Sequence, residues 1–304
     1  MTMKVQLNTI ICTTDFSDLA NQAVPYALAL AQEYKAKLYV CHVIDLPAAA
    51  MYGEALVDPQ EIQLQIENYA QEQVGRMVGQ RPVDWEPLIT VGHPAEEIAR
   101  LAGEKKVGLV IAATHGRSGL QRLILGSVTE RLMRTLPCPL LVSPDPAAGL
   151  KKEVRFRRLL VGCDFSQDSD LAVEYGLHLA QEFQAELHLA HVIEPTLLKD
   201  MLRPGSAPDT EIRQGLRDRL NEDLAGLIPE EAHNWCDCKT SLLAGQPHEE
   251  LTKYAVIHDV DLIVLGVHGR GFVELLLVGS TTDRVIRMAP CPVLAVRPME
   301  SETG

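Results

Sequence analysis

The sequence predicts an α/β protein built as two tandem, doubly wound, parallel-sheet domains, and three observations carry that prediction. Short apolar runs of β type alternate with longer segments of helical period. The strand runs are too apolar to leave one face in water, which calls for helices on both sides of a parallel sheet. The whole pattern is also written twice. Over 14-TDFSDLANQAVPYALALAQEYKAKLYVCHVID-45 and 163-CDFSQDSDLAVEYGLHLAQEFQAELHLAHVIE-194 the copies align at a constant offset of 149, so that Asp15 meets Asp164 and His42 meets His191. Farther on the offset is 153, marking a short insertion in the second copy: Gly92 meets Gly245, Gly126 meets Gly279, and 137-PCP-139 meets 290-PCP-292.

Taken in order, the first copy opens with an apolar run, 7-LNTIICT-13, read as a strand. A helix is predicted over 18–34, where Ala27, Leu28, Leu30 and Ala31 give one broad buried face. Pro25 fits only near a helix start or at a kink, which leaves the first turn open. The strand 37-KLYVCHV-43, a helix over 59–78, the strand 84-DWEPLITV-91 and a helix over 95–105 follow. The strand 107-VGLVIAA-113, a helix over 127–135 and the strand 139-PLLVS-143 complete the unit. The junction is placed in 143-SPDPAAGLKKE-153, rich in Pro, small residues and charge, giving domains 1–146 and 154–304.

Composition excludes several classes. A net charge of −13 repels a nucleic-acid backbone, and no Lys/Arg cluster offsets it locally. No apolar run is long enough to cross a bilayer, and the opening residues lack the features of a secretory signal, so a cytoplasmic protein with no membrane partner is expected. Seven cysteines, most of them in strand-like runs, argue against a disulfide framework. His233, Cys236 and Cys238 offer soft ligands, but three groups on one short segment rarely close a zinc site, and a plain strand is preferred there.

Ligands of such sheets sit beyond the carboxyl ends of the strands, where the strand order reverses. Asp15 and Asp164 follow the first strand of each copy, Val43 and Val192 close the second, and a glycine-rich stretch follows the fourth. That stretch reads 113-ATHGRSGLQRLILGSV-128 in one copy and 266-GVHGRGFVELLLVGST-281 in the other. Glycines past a strand permit positive φ and let a ligand approach the backbone. Gly279-Ser280 then opens a helix whose free N–H groups and dipole favour an anion, with Ser280, Thr281 and Thr282 adding hydroxyl donors. A simple turn and N-cap explains Gly279-Ser280 equally well in one copy; recurrence favours a ligand. The aspartates suit a ribose hydroxyl, with an Asx-turn or cap as the alternative, and the strand-terminal backbone of Val43 and Val192 suits an adenine edge. Arg117 and Arg270 fit either phosphate screening or a solvated loop. His42, His115, His191 and His268 are read as structural. The P-loop pattern is missing, 266-GVHGRG-271 fails the dinucleotide fingerprint, and 116-GRSG-119 is one residue short of a nucleophile elbow, so no catalytic residues are assigned.

At these residues the chain resembles a tandem member of the universal stress protein (UspA) family. The family's ATP-binding pattern G-x2-G-x9-G-[ST] is met in full by Gly266, Gly269, Gly279 and Ser280. In the first copy Ala113 replaces the first glycine, while Gly116, Gly126 and Ser127 match. The resemblance implies Rossmann-like domains of the adenine nucleotide alpha hydrolase type, each with five strands ordered 3-2-1-4-5. It also implies ATP with Mg2+ or Mn2+, its phosphates on Ser127, Val128 and Thr129 or on Ser280, Thr281 and Thr282. An internal pseudo-dimer through the fifth strands, or a homodimer, is expected from it as well. If Ala113 must adopt φ > 0, its Cβ costs about 1 kcal/mol; if it merely ends a strand, it costs almost nothing. The expected function is a nucleotide-dependent stress-response regulator with at most slow hydrolysis; an interaction scaffold and a weak adenine-nucleotide hydrolase are the alternatives.

Overall fold

The computed structural model describes residues 5, 7–45, 59–114, 125–144, 154–194, 209–269 and 278–298. Contacts divide the chain into two compact units, Gln6–Val154 grouping in one and Arg155–Arg297 in the other. The first half runs β1 (Thr9–Thr13), α1 (Ala23–Tyr34), β2 (Lys37–Ile44), α2 (Pro59–Val78), β3 (Trp85–Val91), α3 (Pro94–Glu104), β4 (Leu109–Ala113), α4 (Ser127–Thr135) and β5 (Leu140–Ser143). The second repeats it as β6 (Arg158–Gly162), α5 (Gln167–Phe183), β7 (Glu186–Ile193), α6 (Asp209–Gly226), β8 (Cys238–Ala244), α7 (Pro247–Ile257), β9 (Leu262–Gly266), α8 (Ser280–Met288) and β10 (Val293–Val296).

Pairing places the first five strands in the order β3-β2-β1-β4-β5, parallel throughout the described residues. The second half repeats the order as β8-β7-β6-β9-β10. In β1 the consecutive residues Ile10, Ile11 and Cys12 are all buried, as are Leu159, Leu160 and Val161 of β6. Successive side chains of a strand point to opposite faces, so burial of neighbours means that helices cover both faces of the sheet. The outer strands β3 and β8 carry no such run and are half exposed. Among the described residues no helix is long and apolar enough to cross a membrane.

The first helix of each half is where the copies part. Pro25 has no N–H, and its ring would strike the carbonyl four residues earlier in a regular helix. A 3-10 turn over Ala20–Gln22 therefore precedes α1, which starts at Ala23 and leaves Pro25 in its first turn. The expected helical start at residue 18 is corrected accordingly. Glu174 stands at the matching place in the second half, and there α5 begins at Gln167, its N-cap Ser166 accepting from Ser169 N at 3.3 Å. Both helices close on a left-handed residue, Lys35 and Gln184, after which Ala36 N and Ala185 N donate back to the helix.

Candidate functional site

Beyond the carboxyl ends of the strands each half has a cavity, about 740 Å³ in the first and about 460 Å³ in the second. Every site residue expected from the sequence that lies among the described residues is on a wall. Asp15, Val43, Gly126, Ser127, Val128 and Thr129 line the first. Asp164, Val192, Gly266, Gly269, Gly279, Ser280, Thr281 and Thr282 line the second. Gly116, Arg117 and Arg270 lie outside the described residues.

Register explains why a valine backbone faces the cavity. β2 pairs with β1 only as far as Cys41, whose carbonyl accepts from Thr14 N at 2.9 Å, but stays paired with β3 to Ile44. Backbone groups alternate between the two neighbouring strands, so those of Val43 point to the β1 side after β1 has ended. The second half repeats this: Cys163 N donates to Ala190 O at 2.8 Å, while β7 continues beside β8 to Ile193, leaving the backbone of Val192 toward the cavity.

Across from these strand ends, α4 and α8 start at the glycines. The first intrahelical bonds are Glu130 N to Gly126 O, 2.9 Å, and Asp283 N to Gly279 O, 3.1 Å. Among the described residues the amides of Ser127, Val128 and Thr129, and of Ser280, Thr281 and Thr282, have no partner of their own. Three donors at the positive end of each helix thus stand on a cavity wall, an arrangement that suits an anion.

Two expectations are corrected here. Thr129 and Thr282 are buried, and their hydroxyls donate to Ala113 O and Gly266 O, each at 2.7 Å. These side chains tie the fourth strand to the following helix, so only their main-chain N–H groups remain for a ligand. The glycines, moreover, are not there for positive φ. Gly126 and Gly279 have φ of −59° and −56°, and Gly266 and Gly269 also lie outside the left-handed region. Close approach is the reason instead: a Cβ on Gly266 would sit 2.7 Å from the Asp168 backbone, and one on Gly269 would sit 2.7 Å from Asp164 Oδ2.

The aspartates perform the local task that was their alternative reading. Asp15 Oδ1 accepts from Ser17 N at 2.9 Å and Ser17 Oγ at 2.6 Å, and Asp164 Oδ1 accepts from Ser166 N at 3.0 Å. His42 and His191 hold the strand ends: their Nδ1 atoms donate to Thr14 O at 2.9 Å and to Cys163 O at 2.8 Å. Phe16 and Phe165, both at positive φ, pack on these imidazoles with ring centroids 4.2 and 4.8 Å away. Sequence reading passed over the two phenylalanines, although their recurrence directly after the aspartate was the available signal. It also passed over Asp168, whose Oδ2 accepts from His268 N and His268 Nδ1, each at 2.9 Å.

Burial pushes the thiols of Cys12 and Cys41 up to about 12, with the Cys41 sulfur adding to the first and Glu97 to the second. The thiols of the CxC segment sit differently from a plain strand: β8 begins only at Cys238, and the buried Cys236 donates to Ala185 O at 3.2 Å. Among the described residues no group of three or more His, Cys, Asp or Glu is arranged to hold a metal ion.

Comparison with known proteins places this geometry in a family. The Universal stress protein family matches residues 7–144 and 155–297. The chain is 33% identical over 139 residues to Universal stress protein MJ0531 of Methanocaldococcus jannaschii, covering 45% of this chain and 82% of that protein. It is 27% identical over 296 residues to a universal stress protein of Mycolicibacterium smegmatis, 95% of this chain and 97% of that one. A solved universal stress protein from Archaeoglobus fulgidus matches with a TM-score of 0.67 at 21% identity, over 96% of this chain and 99% of that chain, a likeness of fold.

Proposed function

This chain belongs to the universal stress protein family, and from that premise we propose that each half binds an adenine nucleotide, ATP foremost, and that the protein is a nucleotide-dependent stress-response regulator. The observation that carries the reading is the opposition, across one cavity, of a helix-start triplet of amides and a strand-terminal backbone: Ser280, Thr281 and Thr282 against Val192, and Ser127, Val128 and Thr129 against Val43. Amides at a helix start suit the triphosphate. A one-residue N–H and C=O pair suits the adenine edge, and the aspartate between them suits the ribose. The finer fold label, adenine nucleotide alpha hydrolase-like, goes with this reading.

Mg2+ or Mn2+ fits as a companion of the phosphates. The hydroxyls of Ser127 and Ser280 are hard oxygen donors, exposed and without a hydrogen bond among the described residues, unlike those of Thr129 and Thr282. Bound there, the cation neutralises phosphate charge in a protein of net charge −13. Hydrolysis is at most slow in this proposal, because the sequence assigns no catalytic nucleophile or base at either site. The cytoplasm is the proposed site of action, in keeping with seven free thiols. A pseudo-dimer through the fifth strands goes with this reading, because an edge strand needs a pairing partner.

Equilibrium dialysis of the full chain with labelled ATP tests the reading; two ATP per chain is the expected stoichiometry. Gly279→Val places a branched side chain where a Cβ is already 3.1 Å from Val267 O, and one ATP should be lost with the circular dichroism spectrum unchanged. A wild-type protein that binds no ATP would leave the scaffold alternative standing, and phosphate release at enzymatic rates would favour the hydrolase.

A further inference from the structure

The second half carries on its cavity wall an imidazole paired with a carboxylate, which the reading above does not use. His268 lines the cavity beside Gly269. Its main-chain N–H and its Nδ1 both meet Asp168 Oδ2, each at 2.9 Å. Asp168 stands in the first turn of α5, and its backbone packs so closely on Gly266 that no Cβ fits between them. One carboxylate oxygen thus fixes the loop backbone and the ring together. A carboxylate acceptor requires the proton on Nδ1, so the ring can meet a ligand only through Nε2.

We propose that this pair makes nucleotide binding in the second half proton-coupled: a phosphate group on the α8 amides draws a proton onto His268, and Asp168 holds the resulting imidazolium in place. The inference rests on the nucleotide reading above and deepens it. Neutral imidazole offers a phosphate oxygen only a lone pair at Nε2, whereas imidazolium offers an N–H donor and a positive charge. Among the described residues the other titratable groups lining this cavity are Cys163, Asp164, His191 and Glu194. His191 has its Nδ1 committed to Cys163 O, and the carboxylates of Asp164 and Glu194 bring no positive charge to the phosphates. His268 is therefore the cation source on the described wall. The first half lacks the device from this position, because Leu19 aligns with Asp168. Its site binds without the uptake.

Titration calorimetry of the full chain with Mg·ATP at a pH above the usual histidine range, in two buffers of different ionisation enthalpy, reads the proton directly. The wild type should show a buffer-dependent enthalpy corresponding to uptake at the second site, with affinity there strengthening as pH falls toward the histidine range. Asp168→Asn keeps an acceptor for the loop N–H but loses the charge; it should lose most of the uptake and weaken the second site by about tenfold near neutral pH. His268→Gln should abolish the uptake, and Asp168→Glu should restore part of it. Circular dichroism checks that each variant is folded. Two-site binding with buffer-independent enthalpy in the wild type, or uptake that survives both Asp168→Asn and His268→Gln, overturns the inference while leaving the nucleotide reading intact. No ATP binding at all overturns both.

Discussion

Ala113 and Gly266 occupy the same place in the two halves, yet they answer to different neighbours. Gly266 lies against the Asp168 backbone because α5 starts early, whereas Ala113 is simply buried at the end of β4, facing a helix that starts only at Ala23. Neither position demands a left-handed backbone, so the anticipated conformational penalty on the first site does not arise. Gly266→Ala should destabilise the second half by about 1–3 kcal/mol through overpacking. Ala113→Gly should cost less than about 1 kcal/mol and leave first-site ATP affinity unchanged. Urea melts with dialysis on the same samples check both, and equal costs for the two changes would sink the packing account. The sequence showed that the position differed; the reason lay in Asp168, far away along the chain.

At the level of elements, β7 and α7 meet through a buried network that has no counterpart among the described residues of the first half. His188 Nδ1 lies 2.8 Å from Tyr254 Oη, which is 3.1 Å from Ser241 Oγ. His188 Nε2 is 3.0 Å from Glu186 Oε1 but out of line for a hydrogen bond. Burial outweighs the attraction of Glu186 and holds His188 below its ordinary range, while Lys239, and then His188, hold Glu186 below the usual carboxylate range. A histidine kept neutral binds fewer protons folded than unfolded. Its contribution to stability is therefore present above the unfolded value of about 6.5 and is lost as pH falls below it. His188→Gln should flatten that part of the stability profile of the second half, measured by urea melts between about pH 8 and pH 5; an unchanged slope would show that His188 does not set it. Tyr39 fills the matching place in the first half, under the Lys105 ammonium at 4.5 Å. Element order and type were legible in the alternating periods, and α2 and α4 fall where they were expected. The start of α1 was not, because propensity marks a helical stretch while Pro25 decides which turn within it closes first.

For the molecule as a whole, the charge of −13 works against the ligand proposed for it. Association of an ATP anion with so acidic a chain is slowed by long-range repulsion, which salt screens over a Debye length of about 10 Å at 0.1 M. Stopped-flow association with a fluorescent ATP analogue should therefore accelerate as salt rises from about 0.01 to 0.1 M. Deceleration over that range would show that a local positive field dominates.

The sequence by itself determined that there are two copies of one doubly wound unit, and which strand ends and helix starts converge, because both follow from periodicity and from offsets that repetition makes visible. Only the tertiary structure decided what each site residue does there. Thr282 and Thr129 face inward to strand carbonyls, the glycines yield to close-packed neighbours, and Asp168 meets His268. Those roles depend on contacts between residues far apart in the chain, and a pattern read along one dimension carries no distance between them.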